Sequence, residues 1–245
     1  MSRREGTRVS EGDVLNGDGA SKAGSGRPRL DRGRILAAGV EFVERHGVRE
    51  LTMRRLGREL GVEAMSLYRH VPSRESLLDG IVETVVDELY SDPEVSAEPV
   101  HGWQDYLLRL AHGLRRLALA RPQVFPLVAT RPPEAPWVRP PLRSLRWVES
   151  FLAALTSSGF TDRAAVDAYR AFSSFLLGHL LLEVSARGAD AGPVEEPEPR
   201  PPRAADLSGY PLLQRFRELL SEDRSEQEFE ESLKQLLGRL EALRS

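Results

Sequence analysis

The chain has 245 residues, 40% of them apolar, a formal net charge of −3 and no cysteine. That is enough apolar material for one large core or two modest ones, and the missing thiols exclude disulfides, thiolate metal sites and cysteine nucleophiles. Without a run of about 18 uncharged apolar residues, or an apolar stretch resembling a signal peptide near the first residue, a membrane span is excluded and a cytoplasmic location expected.

The small net charge conceals an asymmetry. Between Arg27 and Leu78 eleven arginines stand against seven acidic side chains, and the chain beyond Leu78 is acidic. A basic module therefore precedes an acidic one, and it is the local excess of positive charge that attracts phosphates.

In chain order, residues 1–30 are rich in Gly, Ser, Asp and Arg and show no apolar periodicity. Such a segment cannot repay the entropy of ordering, so a disordered tail is expected. Its Arg27 and Arg29, with Arg32 and Arg34 just beyond, suit either a nucleic-acid backbone or simple solubilisation. From the N-cap type residue Asp31, apolar side chains recur at Ile35, Leu36, Val40, Phe42 and Val43 before Gly47, which predicts an amphipathic helix. Thr52 then caps a short second helix with Leu56 and Leu60 on one face, stopped by Gly61. A third short helix spans 63–70, and Pro72 with Ser73 ends it and caps a fourth carrying Leu77, Leu78, Ile81, Val85 and Leu89.

Beyond a connection with prolines and acids at 92–99, every sizeable apolar segment keeps helical period: 103–120, 142–158, 164–186, 211–220 and 226–243. The prediction is an all-α fold of about nine or ten helices. A three-helix helix-turn-helix domain at 31–78 is followed by a larger helical domain at 79–245, for ligand binding and dimerisation. Within the latter, 188–209 is expected to be an exposed mobile loop because its first fifteen residues hold five prolines and a single large apolar side chain, Val194.

Leu51 to His70 is the most informative segment. Two short helices meet at a glycine, with apolar residues where they would pack, so the second can enter a DNA major groove about 12 Å wide while the first crosses the backbone. Arg54, Ala64, Met65 and Arg69 face outward on this reading. Arg54 suits a bidentate contact to guanine, and Ala64 and Met65 suit a thymine methyl. Arg55 and Arg58 fit ordinary solvated surface as well as DNA contact.

Through Gly47, Leu51, Thr52, Leu56, Leu60, Gly61, Val62, Leu67, Tyr68, His70, Leu77 and Leu78, the segment resembles the tetracycline-repressor (TetR) family of regulators. The resemblance implies phosphate contacts from Thr52, Ser66, Tyr68 and His70, and it puts Arg74 where the family most often carries a lysine, another phosphate-binding cation. Outside that likeness, Tyr68 also fits plain core packing and His70 a helix cap. Trp103, Thr130-Arg131-Pro132, Ser158-Gly159-Phe160 and the stretch 178–183 are similar to the C-terminal domain of the tetracycline-repressor subgroup. That likeness implies a homodimer on near-palindromic double-stranded operator DNA, released by a small-molecule effector. In the subgroup a histidine three residues before Thr-Arg-Pro holds the drug-bound magnesium, whereas Leu127 stands here and an apolar side chain cannot ligate a hard cation. The expected effector is therefore largely apolar, with no cofactor or metal.

His112, Phe125, Trp137, Tyr169, Phe172 and His179 are candidates for lining the effector pocket, with Glu183 as a polar anchor; the aromatics fit core positions equally well. Two apolar stripes suit an intersubunit four-helix bundle. One runs through Val166, Tyr169, Phe172, Leu176, Leu177 and Leu180, the other through Phe229, Leu233, Leu236, Leu237 and Leu240. An enzyme is not expected, because there is no Gly-rich phosphate loop, nucleophile elbow or clustered His-carboxylate spacing. A transcriptional activator of the same fold, or a helical interaction protein without DNA binding, remains compatible with the pattern.

Overall fold

The structure, a computed structural model, describes residues 30–96, 102–132, 135, 137–139, 144–190 and 206–244. Almost all of the predicted tail and most of the predicted loop, 191–205, lie outside the described residues, as do parts of the 92–99 connection and of the predicted 142–158 helix. Asp31–Ser245 forms one compact unit. Its described residues hold eleven α-helices and no strand.

The helices are α1 (Arg32–His46), α2 (Met53–Leu60), α3 (Ala64–Tyr68), α4 (Arg74–Ser91), α5 (Pro93–Ser96), α6 (Trp103–Ala120), α7 (Phe125–Thr130), α8 (Leu145–Ser157), α9 (Asp162–Ala186), α10 (Pro211–Ser221) and α11 (Ser225–Glu241), with a 3₁₀ turn at Val48–Glu50. The four- and six-residue helices α5 and α7 are too short to carry a period, and they account for the excess over the helices read from apolar spacing.

Local chemistry explains the boundaries. Asp31 accepts the Arg34 N–H at 2.8 Å, Thr52 the Arg55 N–H at 3.2 Å and Ser73 the Ser76 N–H at 3.0 Å, so each satisfies one otherwise unpaired donor of α1, α2 or α4. At α9, Thr161 caps the Ala164 N–H and moves the start to Asp162, ahead of the first apolar residue.

α4 links the two halves. On one side it crosses α1 at a very short distance: a Cβ on Gly80 would sit 2.5 Å from Leu36 Cδ2, and one on Gly39 would sit 2.9 Å from Ile81 Cδ1. On the other side it packs against α6 and α7. The C-terminal core closes around α9, where Phe151 of α8 contacts Tyr169 and Phe172 at ring distances of 5.5 and 5.4 Å.

The predicted bundle stripes need correcting here. Tyr169, Phe172, Leu176, Leu177 and Leu180, with Phe229, Leu233, Leu237 and Leu240, are all less than a tenth exposed within the single chain. They are the chain's own core, because α11 packs on α9 intramolecularly. The face left open between α9 and α11 is a groove lined by Ala171, Phe175, Ser232, Leu236 and Leu243, with Leu182 of α9 73% exposed.

Candidate functional site

The α2–α3 pair is held together by its inner side chains. Leu56 and Leu67 are fully buried, and Val71 just beyond α3 is nearly so. Gly61 takes a left-handed conformation (φ 69°, ψ 31°) that few side chains tolerate, and the Val62 N–H returns to the Gly57 carbonyl at 2.9 Å. Gly57 faces that turn so closely that a Cβ would lie 2.9 Å from the Val62 carbonyl oxygen.

This packing turns the opposite side outward. Thr52, Arg54, Met65, Tyr68, Arg69 and His70 are exposed, Tyr68 by 42% and Met65 by 70%, while Ala64 and Ser66 are half-buried. Tyr68 is thus not a core residue. The Thr52 oxygen accepts the cap bond, which leaves its hydroxyl proton free to donate. Arg55 pairs with Glu50, the ordinary surface arrangement. Arg74 folds back onto the protein: its Nε donates to the Leu51 carbonyl at 2.9 Å and its Nη2 to the Val48 carbonyl at 3.1 Å. It thereby pins the 3₁₀ turn that leads into α2.

Polar contacts join this head to the C-terminal body. Arg131, after α7, donates to Asp79 of α4 at 2.7 Å and also reaches Glu75; Arg121, after α6, donates to Glu41 of α1 at 2.6 Å. Glu44 of α1 accepts the Val124 N–H at 2.8 Å, and Arg49 donates to Asp190, beyond α9, at 2.6 Å. Burial raises the Glu44 pKa above the ordinary glutamate value, opposed by the backbone N–H donors of Val124 and Gln123.

The sequence-predicted effector residues fall in different places. His112 and His179 both contact the Phe229 ring, at 5.8 and 5.4 Å, and the Arg115 guanidinium lies 5.2 Å above that ring. Glu183 is 5% exposed and takes a forked pair from Arg115 at 2.9 and 3.1 Å, with Arg187 at 3.0 Å on the same carboxylate. Its charge is therefore spent on neighbouring arginines. Tyr169 and Phe172 are core against Phe151, Phe125 is fully buried in α7, and Trp137 is 81% exposed.

A different set of polar aromatics is not among the sequence candidates for the effector pocket. Tyr90 of α4, Trp103 and Tyr106 of α6, and Trp147 of α8 have a buried hydroxyl or indole N–H without a hydrogen-bond partner among the described residues. An unpaired buried donor costs about 1–3 kcal/mol, and buried Tyr and Trp normally find an acceptor. Burial pushes the Tyr106 hydroxyl up to about 12 and raises Tyr90 as well, helped by the nearby Tyr106. The signal that could have found them is a polar-tipped aromatic at an inward helical position on three helices that meet.

A buried-seam helix pair with a polar outer face, carried on a wholly helical body, defines a helix-turn-helix regulator. The chain belongs to the TetR family: residues 35–81 match the family described as bacterial regulatory proteins, tetR family, and residues 96–244 match the tetracyclin repressor-like C-terminal domain. It is 31% identical over 164 residues to an HTH-type transcriptional regulator of Saccharopolyspora erythraea, a match covering 67% of this chain and 65% of that relative. With the class D tetracycline repressor protein of Escherichia coli it shares 29% identity over 212 residues, 85% of this chain and 88% of that one. Among solved structures, a possible TetR family transcriptional regulator from Streptomyces coelicolor A3(2) aligns with a TM-score of 0.68 and 27% identity, over 87% of this chain and all of that one. ActR from Streptomyces coelicolor in complex with actinorhodin aligns with a TM-score of 0.64 and 25% identity, over 87% and 98%. No helix among the described residues is long and apolar enough to cross a membrane.

Proposed function

We propose that this regulator is a repressor that binds near-palindromic double-stranded operator DNA as a homodimer and is released by a small, largely apolar effector. The observation that carries the reading is the exposed face of Thr52, Arg54, Met65, Tyr68, Arg69 and His70 over a buried α2–α3 seam. Tyr68 and His70, with Thr52 and Ser66, supply hydroxyl and imidazole donors for phosphate, Arg54 and Arg69 read base edges, and Ala64 and Met65 offer apolar contact to thymine. Arg74 acts through position, holding the Leu51 and Val48 carbonyls rather than reaching out.

A second copy is supported by unpartnered apolar surface. On α10, Leu212, Leu219 and Leu220 are 62%, 63% and 68% exposed, and Leu182 of α9 stands open beside the α9–α11 groove. Large apolar side chains left exposed in this number suit an interaction surface. An apolar effector is supported by Leu127, which is 5% exposed where the drug-binding subgroup carries a metal-ligating histidine.

Release requires only that the effector favour one packing of the C-terminal body. Arg131 to Asp79 and Arg121 to Glu41 would carry that preference to α4 and α1, and a coupling of about 1–3 kcal/mol changes operator affinity roughly 5- to 150-fold. Selection of bound genomic fragments by the full-length protein tests the reading, followed by mobility shift and light scattering. It predicts inverted-repeat sites bound by two chains. Recovery of no specific DNA rejects it, and a monomer retaining full specific affinity rejects the dimer.

A further inference from the structure

We propose that Asp190 and Arg49 are positioning residues for DNA reading, clasping the end of α9 to the 3₁₀ turn that opens into α2. The clasp rests on the regulator reading above. To the links made by Arg131 and Arg121 it adds one that reaches the α2–α3 pair without passing through α4.

The end of α9 is fixed before the chain reaches the head. Glu183, 5% exposed, holds Arg115 of α6 at 2.9 Å and Arg187 at 3.0 Å. Losing either cation would leave a buried charge less compensated, so the last turn of α9 is tied to α6. Gly188 then takes φ 91°, and the N–H groups of Gly188 and Ala189 return to the Ser185 and Val184 carbonyls, each at 3.0 Å. These two bonds close the helix and turn the chain aside. Ala189 is buried, and the Gln123 side chain, ahead of α7, donates to the Gly188 carbonyl at 3.2 Å. Asp190 comes next, delivered by a turn that is itself anchored.

On the head side, each residue of the turn Val48–Glu50 has its own partner. Arg74 takes the Val48 carbonyl at 3.1 Å, and Glu50 pairs with Arg55. Arg49 meets Asp190 side-on, with Nε 2.6 Å from one carboxylate oxygen and Nη2 3.5 Å from the other. The two side chains are 18% and 31% exposed, so salt screens them less than a fully exposed pair. Leu51 and the cap residue Thr52 follow directly, so moving Arg49 moves the cap and first turn of α2, the helix on which α3 packs. Coupling between distant sites travels through ion pairs and packed elements joined in this way.

The charge of Asp190 separates positioning from electrostatics. Removing a carboxylate from a DNA-binding module strengthens its attraction to a polyanion if charge alone is at work. Loss of a positioning contact does the opposite, and only for sequences that require the reading helix in register.

Hydrogen exchange and mobility shift of the full-length protein test the clasp with Asp190→Asn. Amide exchange across 48–56 should quicken while that of α4 stays unchanged. Affinity for a selected operator site should fall roughly fivefold, the lower end of couplings between linked sites, while affinity for random duplex stays level or rises. Arg49→Asp alone should also quicken exchange, and Arg49→Asp combined with Asp190→Arg should slow it again, because the reversed pair restores the contact. Exchange unmoved by Asp190→Asn, operator affinity unchanged or raised, or no rescue by the reversed pair overturns the proposal. Exchange needs no DNA, so the two readings fail separately. Quickened exchange in a protein that selects no specific DNA sinks the regulator and keeps the link between α9 and the turn. Specific binding with unmoved exchange sinks the clasp alone.

Discussion

Replacing Gly57 with alanine sets two known effects against each other. In an exposed helix interior alanine gains about 1 kcal/mol over glycine. At Gly57 the added methyl would lie 2.9 Å from the Val62 carbonyl oxygen and 3.3 Å from the Ala64 nitrogen. Both are backbone atoms of the turn and the start of α3, so neither yields by a rotamer change, and the turn must open by about half an ångström to reach ordinary contact. Forced overpacking of this kind costs about 1–3 kcal/mol, so the net effect is a loss of up to about 2 kcal/mol. Gly238→Ala on α11 is the control, because nothing lies within 4 Å of its added Cβ and the propensity gain is kept. The two variants should therefore separate by about 1–3 kcal/mol, at about 2–4 °C of melting temperature per kcal/mol for a chain of this size. DNA affinity should fall in Gly57→Ala and not in Gly238→Ala, since a displaced α3 lengthens every bond it makes in the groove. Calorimetry and fluorescence anisotropy with a selected site would measure both effects. Equal stabilisation of the two variants with unchanged DNA affinity would refute the close approach as the device that sets the reading helix.

Tyr68→Phe removes one exposed hydroxyl and should weaken binding to all sequences alike by about fivefold, whereas Arg54→Ala should change the preferred base at one position of selected sites. Arg131→Met cuts the links to Asp79 and Glu75; operator binding without effector should persist while effector-driven release is reduced, as read by titrating the effector into the DNA complex. Leu182→Glu combined with Leu236→Glu places charges on the open α9–α11 face and should give a monomer by light scattering while leaving the far-ultraviolet dichroism unchanged. Tyr106 and Tyr169 are each held at about 12 by burial, above the ordinary value of 10.0, and Tyr90 is raised too. A raised value means the fold favours the neutral phenol, so this stability is fully present below pH 10 and is lost as pH rises through the folded values. Absorbance titration should show delayed tyrosine ionisation that disappears in denaturant.

The α2–α3 unit was legible because its determinants are local. Thr52 as a cap, Gly61 as the left-handed stop and Leu56 with Leu67 on the inner face are near neighbours in the chain, and hydrogen-bond geometry and helical period translate them directly into structure. The starts of α1, α4 and α9 follow from Asp31, Ser73 and Thr161 in the same way.

Which side of a long helix faces its own chain is a different kind of question. α9 is apolar on two faces, so its period cannot say whether Phe172 and Leu176 or Phe175 and Leu182 are turned toward the core. Only the packing of α8 and α11 decided that, burying the first pair and leaving Leu182 open. For the same reason the sequence does not show that Glu183 is paired with Arg115, 68 residues earlier in the chain. Tyr90, Tyr106 and Trp147 likewise read as ordinary core aromatics in isolation. That their donors lack an acceptor among the described residues is a property of three helices meeting in space, which no local pattern encodes.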